Sequence, residues 1–277
     1  MNTTLPLRAA APRGSCESPL GLLSELEGAW AGRGYNLIAV PDKASNGFRL
    51  ILNSTLENFA FTAIASPVPD RGSAQDDIAI YGLTYLQRLN DAQTLDTLHI
   101  ETGMWLNVPA TTSPPGPASI VRQSAIPHGN ALLAQGIART LPGGPDFAQA
   151  SSTPFGPGTD LHRLGYLDVY LHSNLPPGMK QNYVSNMNCA LADAIAGQEI
   201  VSTVVLQVAT NPAGGIVSIP FAAPNAKPVS MNATFWIETI KRPDGSTFVQ
   251  LQYSQTVILD FLDISWPHVS VGTLIRT

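Results

Sequence analysis

The sequence predicts a mainly-β protein built as a closed antiparallel barrel, and three observations carry that prediction. Segments rich in β-branched and aromatic residues recur along the chain, several with polar and apolar side chains in alternation. Turn chemistry separates them, as at Asn90-Asp91, Asp244-Gly245 and the run from Ser66 to Ser73. Charged residues make up only 13% of the 277, against 23 Gly and 23 Pro, which disfavours coiled coils and long solvent-washed helices. Closing such strands into a barrel removes the sheet edges that would otherwise invite aggregation.

Taken in order, residues 1–18 read as a flexible tail and 19–277 as one domain. Leu20, Leu22, Leu23 and Leu26 form a short helical face that ends near Gly28. From Trp30 onward strands are expected, including 48–57, 58–64, 77–88, 95–105, 119–126 and 131–136. Residues 137–197 break the rhythm with Leu141-Pro142-Gly143-Gly144-Pro145 and Ser152-Thr153-Pro154-Phe155-Gly156, which is loop chemistry. They predict an irregular insertion packed on one side of the barrel, with a short helix over 189–196 stopped by Gly197. Strands resume at Glu199, and Gly214-Gly215 reads as a hairpin turn towards Ile216. Asp244-Gly245 predicts the clearest hairpin. After it, Val249, Leu251, Tyr253, Val257 and Leu259 share one side, and Gln250, Gln252, Ser254 and Thr256 the other. The last strand is expected over 268–276.

Composition narrows the function classes. A net charge of −5 gives no basic footprint for nucleic acid and no polybasic patch for anionic lipid. Cys16 and Cys189 do not make a disulfide framework and read as free thiols. No zinc spacing, GxSxG elbow or run of 18 apolar residues occurs. The N-terminus lacks a signal-peptide core. The expectation is a soluble, cytoplasmic protein without nucleic-acid or membrane partners. Glu101, Asp76, Asp77, Asp260 and Asp263 form no convincing acid–base pair, so no catalytic residue is assigned.

Three separated motifs add a resemblance. Gly28-Ala29-Trp30-Ala31-Gly32-Arg33-Gly34 is a GxWxGxG strand start, in which Trp30 can plug one barrel end. Glu101-Thr102-Gly103-Met104-Trp105 lies mid-chain, and Trp266-Pro267-His268 opens a C-terminal run to Arg276. In order and placement these resemble the nitrobindin family of haem-binding barrels, over roughly residues 20–136 and 198–277. Ile126-Pro127-His128-Gly129 is similar to a turn of that family, whereas Tyr35-Asn36-Leu37 stands where its members carry Tyr-Pro-Thr. The resemblance implies a lipocalin/fatty-acid-binding-protein-like barrel holding haem b. It implies His268 as the iron ligand, with Thr102, Met104 and Trp266 bordering the cofactor. It also implies an open distal side for nitric oxide, peroxynitrite or peroxide-like ligands, and peroxynitrite isomerase or weak peroxidase chemistry. A homodimer is a further implication, since relatives are often dimers.

Two other readings stand beside it. The barrel could carry an apolar metabolite or fatty acid without iron, with Arg122, Arg49 and Tyr253 as candidate carboxylate partners. Alternatively, the insertion could act as a lid that shapes a substrate pocket for a haem-dependent biosynthetic enzyme. Of the other histidines, His99 reads as surface or cross-strand packing and His128 as a solvated turn residue. His162 and His172 lie in the insertion.

Overall fold

The structure, a computed structural model, describes residues 18–277 apart from 46, 157–159 and 223. The tail expected over 1–18 and Cys16 therefore lie almost wholly outside the described residues. Its strands are β1 (Gly28–Asp42), β2 (Gly47–Ala63), β3 (Val68–Asp70), β4 (Ile78–Asp91) and β5 (Thr97–Val108). After them come β6 (Thr111–Thr112), β7 (Pro115–Gly116), β8 (Ser119–Ile126) and β9 (Asn130–Pro142). Three short helices precede the last four strands: α1 (Tyr166–Leu171), α2 (Gln181–Ser185) and α3 (Asn188–Ala194). The chain ends with β10 (Glu199–Ser218), β11 (Lys227–Lys241), β12 (Thr247–Phe261) and β13 (Ile264–Arg276).

Ten of these strands form a ring in chain order, β1-β2-β4-β5-β8-β9-β10-β11-β12-β13, and every neighbouring pair is antiparallel. Pairing of β2 with β4 and of β1 with β13 closes it, so no barrel edge is left open. β3 is a flap on β4, and β6 with β7 is a separate two-stranded hairpin.

One end of the barrel is solid. A 3-10 helix, Gly21–Leu26, sends the fully buried Leu23 and Leu26 into it. Trp30, the aromatic of the GxWxGxG motif, is 1% exposed and donates its indole N–H to the Leu26 carbonyl at 2.8 Å. Arg276 covers its ring at 4.7 Å. Phe59, Phe61, Leu83, Trp105, Phe235 and Leu251 fill the space above. Each large side chain removed from water here contributes about 1.5–3 kcal/mol, so this half anchors the fold.

The insertion makes a second core on the outer wall. β9 runs to Pro142, so the irregular stretch is 143–198 and the expected start at 137 moves six residues on. Tyr170, Tyr183, Val184, Met187 and Leu191 pack on the outward faces of Leu37, Ala39, Val269 and Val271. Phe155 exchanges two backbone hydrogen bonds with Ser265, at 2.9 and 2.8 Å, tying the insertion to β13. This explains an odd feature of β12. Its outward glutamines look solvent-facing by alternation, yet Gln250 and Gln252 are 3% and 0% exposed. The Gln252 amide donates to the Leu191 carbonyl and the Thr273 hydroxyl, at 3.1 and 2.8 Å.

The structure corrects one turn. Gly214 and Gly215 lie within β10, where register jumps between Ala209 and Gly214 while the strand keeps its partner β9. A Cβ on Gly214 would sit 2.1 Å from the Leu133 carbonyl oxygen. The glycine therefore permits close approach at a bulge rather than a reversal. The reversal comes after Ser218, where β10 ends, and before Lys227, where β11 begins.

Candidate functional site

The ring of strands stays open at the end opposite the 3-10 helix. There a cavity of about 320 Å³ is lined by residues of all ten barrel strands and their turns. Its walls are apolar, with Ile38, Ile51, Leu89, Leu132, Val257 and Leu259 facing inward. This volume is that of a small ligand site. A more open groove of about 520 Å³ lies outside, between β1, β13 and α3. On its rim, Asp193 accepts from Lys180 Nζ at 2.7 Å and from the Tyr183 hydroxyl at 2.6 Å.

Below the cavity lies a polar floor, and its centre is Arg122. This side chain is 0% exposed, with its guanidinium about 5.5 Å from the ring centres of Tyr85, Trp105 and Phe235. Its Nη2 lies 2.6 Å from Glu101 Oε1, Nε donates to the Tyr85 hydroxyl at 3.1 Å, and Nη1 donates to Gln255 Oε1 at 2.7 Å. A weaker contact at 3.5 Å reaches Gln87 Oε1. The Tyr85 hydroxyl donates to Glu101. Burial alone would raise the Glu101 pKa, but the Arg122 charge, aided by His99 and Tyr85, holds it far below the usual carboxylate range. The pair is therefore ionised and mutually neutralised.

A second buried carboxyl sits beside it. Glu57 Oε1 accepts from Thr55 and Tyr253, at 2.6 and 3.1 Å, while Oε2 has no protein partner. Burial pushes its pKa up to about 7, against the opposing effect of the two hydroxyls. Two glycines make room for it: a Cβ at Gly34 would lie 2.5 Å from Oε1, and one at Gly272 would lie 2.6 Å from Oε2. The last glycine of the GxWxGxG motif thus houses a carboxyl group.

Three histidines share the cavity wall. His268 pairs with Val257 across β12 and β13 and faces inward. Asn36 Oδ1 lies 2.7 Å from His268 Nε2 and accepts from the Ser270 hydroxyl at 2.9 Å. With Asn36 Oδ1 as the acceptor, this network assigns the His268 proton to Nε2 and leaves the lone pair on Nδ1. Burial, then repulsion from His99 and His128, lowers its pKa to about 3, so the ring is neutral. His99 and His128 stack at the mouth with ring centres 6.3 Å apart, and His99 Nε2 lies 3.2 Å from Glu101 Oε2. Burial and then His99 lower the His128 pKa. Among the described residues, no group of three or more His, Cys, Asp or Glu is arranged to hold a metal ion.

The other sequence-predicted residues do not line the cavity. On β5 it is Glu101 and Trp105 that are buried inside. Thr102 is exposed, and its hydroxyl donates to the Tyr85 carbonyl at 3.1 Å. Met104 shares the outward parity of Thr102. Trp266 is fully buried, but against Phe48, Phe261 and Tyr166, at 4.4, 4.8 and 5.7 Å between ring centres. It joins the insertion to the barrel beside the mouth. His99 and His128, expected as packing and turn residues, reach the cavity. Among the described residues of 143–198 none lines it, and those residues pack instead on the outer wall. The candidate carboxylate partners are committed elsewhere: Arg122 to Glu101, Tyr253 to Glu57, while Arg49 is exposed.

No protein-family model matches this chain, and no curated protein matches it either. Among solved structures, the crystal structure of Rv2717c from M. tuberculosis is similar at 17% identity and a TM-score of 0.49, covering 97% of this chain and 99% of that one. The architecture described above rests on the strand pairing itself.

Proposed function

We propose that this protein binds a small, largely apolar molecule inside the barrel. The observation that supports this reading is the apolar-walled cavity of about 320 Å³, reached through a ring of short turns. A cavity of this kind is the usual form of a small-molecule site in a barrel. Burying apolar ligand surface there contributes roughly 25 cal/mol per Å². Prodan, a neutral naphthyl ketone dye whose emission reports polarity, tests the reading. It should bind with a blue-shifted emission, and Ile51→Trp, which fills the chamber, should abolish the shift while leaving the circular dichroism unchanged. Equal binding to both proteins would sink the proposal. Mass spectrometry of solvent extracts from natively purified protein should reveal a co-purifying apolar compound.

His268 favours a second reading, a haem b protein. Iron takes a neutral imidazole as axial ligand, and His268 is held neutral at the cavity wall. The donor chemistry fits, and the apolar walls suit a porphyrin face. His268 would hold the iron, and Asn36 and Ser270 would set the orientation of its ring. When bound, the haem would supply reactivity towards nitric oxide, peroxynitrite or peroxides, with the protein contributing the ligand and a dry pocket. Added hemin should give a Soret band that His268→Ala shifts or removes, and an unchanged spectrum in the variant would exclude this ligand.

A further inference from the structure

The floor of the cavity says what kind of molecule it takes. This step rests on the first reading above, that an apolar ligand occupies the chamber. Gln87 and Gln255 both line the cavity, and both are nearly inaccessible to bulk water, at 3% and 8% exposure. The two carbonyl oxygens are drawn to one guanidinium: Gln255 Oε1 lies 2.7 Å from Arg122 Nη1, and Gln87 Oε1 lies 3.5 Å from Nη2. An amide that turns its oxygen towards the guanidinium turns its NH₂ group away from it. Neither NH₂ donates to a protein acceptor among the described residues. Arg122 thus acts behind the wall as a positioning residue.

We infer that the Gln87–Gln255 pair is a neutral donor clamp for an uncharged oxygen, a ketone, ester or amide carbonyl, at one end of an otherwise apolar ligand. Two N–H groups suit the two lone pairs of a carbonyl. A carboxylate would present similar oxygens, but it would leave water without a free cation to meet it. Arg122 is already neutralised by Glu101, and no Lys or Arg is among the described residues lining the chamber. Burying an unpaired charge is heavily disfavoured, whereas a neutral carbonyl needs only the donors that are present. His268 Nδ1, an acceptor on the neighbouring strand β13, adds no positive charge, because the ring is neutral. The clamp therefore separates this chamber from one built for fatty acids.

Competition against Prodan at pH 8, with three compounds of nearly equal size, tests this. Butyrophenone carries a ketone, butylbenzene has no acceptor, and phenylbutyrate carries a carboxylate. Butyrophenone is expected to compete about tenfold better than either of the others, the equivalent of one well-made hydrogen bond. In Gln87→Met and Gln255→Met, the ketone advantage should shrink towards unity while the inhibition constant of butylbenzene stays within about twofold. Thermal melts check that both variants fold, and Gln87→Met leaves the three close Arg122 bonds intact. Phenylbutyrate equalling or beating butyrophenone would overturn the clamp, as would an equal constant for butylbenzene, and either result leaves the cavity reading standing. Failure of Prodan and all three compounds to bind would overturn the cavity reading itself.

Discussion

The two halves of the barrel interior are built from the same alternating strands but filled by opposite rules. Around the 3-10 helix, inward positions carry Trp30, Phe59, Trp105 and Phe235, and the space between them is closed. Towards the open turns, inward positions carry Asn36, Gln87, Gln255, His268 and Ser270 among aliphatics, and a cavity remains. Amides and histidines do not improve a core, so their presence there is not explained by stability. The lower half maintains the fold and the upper half is available for binding. Arg122 with Glu101 forms the boundary, because it caps the aromatic layer and orients the amides above it.

The strongest way to break this division is to remove the boundary. Arg122→Met leaves Glu101 as an uncompensated buried charge, and the expected loss is about 5 kcal/mol, the upper end for breaking a buried pair. Urea denaturation should show it, and adding Glu101→Gln should recover much of the loss. If Arg122→Met cost under about 1 kcal/mol, the boundary role would be wrong. Next come matched truncations of the two halves. Trp105→Ala empties a filled layer and should cost about 3–5 kcal/mol, whereas Leu89→Ala enlarges a space already open and should fall near the low end of the 2–5 kcal/mol expected for leucine truncation. Equal losses would mean that the two halves are packed alike.

Glu57, at the same level, gives a pH-dependent contrast. Its folded pKa, near 7, is raised above the ordinary carboxyl value, so the native state holds a proton that the unfolded chain releases near pH 4.5. Stability from this group is therefore full below pH 4.5, is lost as pH rises to about 7, and stays lost above. Glu57→Gln should stabilise the protein by up to about 3 kcal/mol at pH 8 and have little effect near pH 4.5. Denaturant midpoints at the two values would check the sign. Glu238, also raised to about 7 by burial, titrates in the same direction on the outer wall, so the comparison must be between variant and parent at each pH.

How much of this was legible in the sequence differs between the halves in the same way. The alternation and turns predicted the closed barrel, Trp30 predicted a plug at one end, and Leu20 to Leu26 predicted a short helix, because burial of large apolar groups leaves a periodic trace. His268 at the cavity wall was legible only through motif resemblance. Gln255 was readable in principle, since it interrupts the inward series Tyr253, Val257, Leu259. Its significance was not, because Arg122 lies 133 residues away and only the closed ring brings them together. Thr102 and Met104 failed as cavity residues for a simpler reason. Alternation places only one parity inside, and the buried Glu101 and Trp105 take it. The turn sequence around His128 carried no sign that the β8–β9 turn would bring its ring against His99.

The smallest expected effect near neutral pH falls on His268, and it separates a binding position from a structural one. A histidine whose folded pKa is near 3 must be buried neutral, while the unfolded chain binds a proton below about 6.5. Its contribution to stability is full above pH 6.5 and declines as pH falls towards 3, by up to about 1.4 kcal/mol per pH unit. His268→Asn keeps a polar side chain near Asn36 and removes the titration. At pH 7.5 the variant should lie within about 1 kcal/mol of the parent, since one exchangeable hydrogen bond is at stake. Between pH 6 and 4 its stability should fall less steeply than the parent's. A large loss at pH 7.5 would make His268 part of the fold's support and move the division between the halves upward. Parallel pH profiles would show that the ring is not buried neutral, and would remove the basis for using it as a ligand to iron or as an acceptor for a bound molecule.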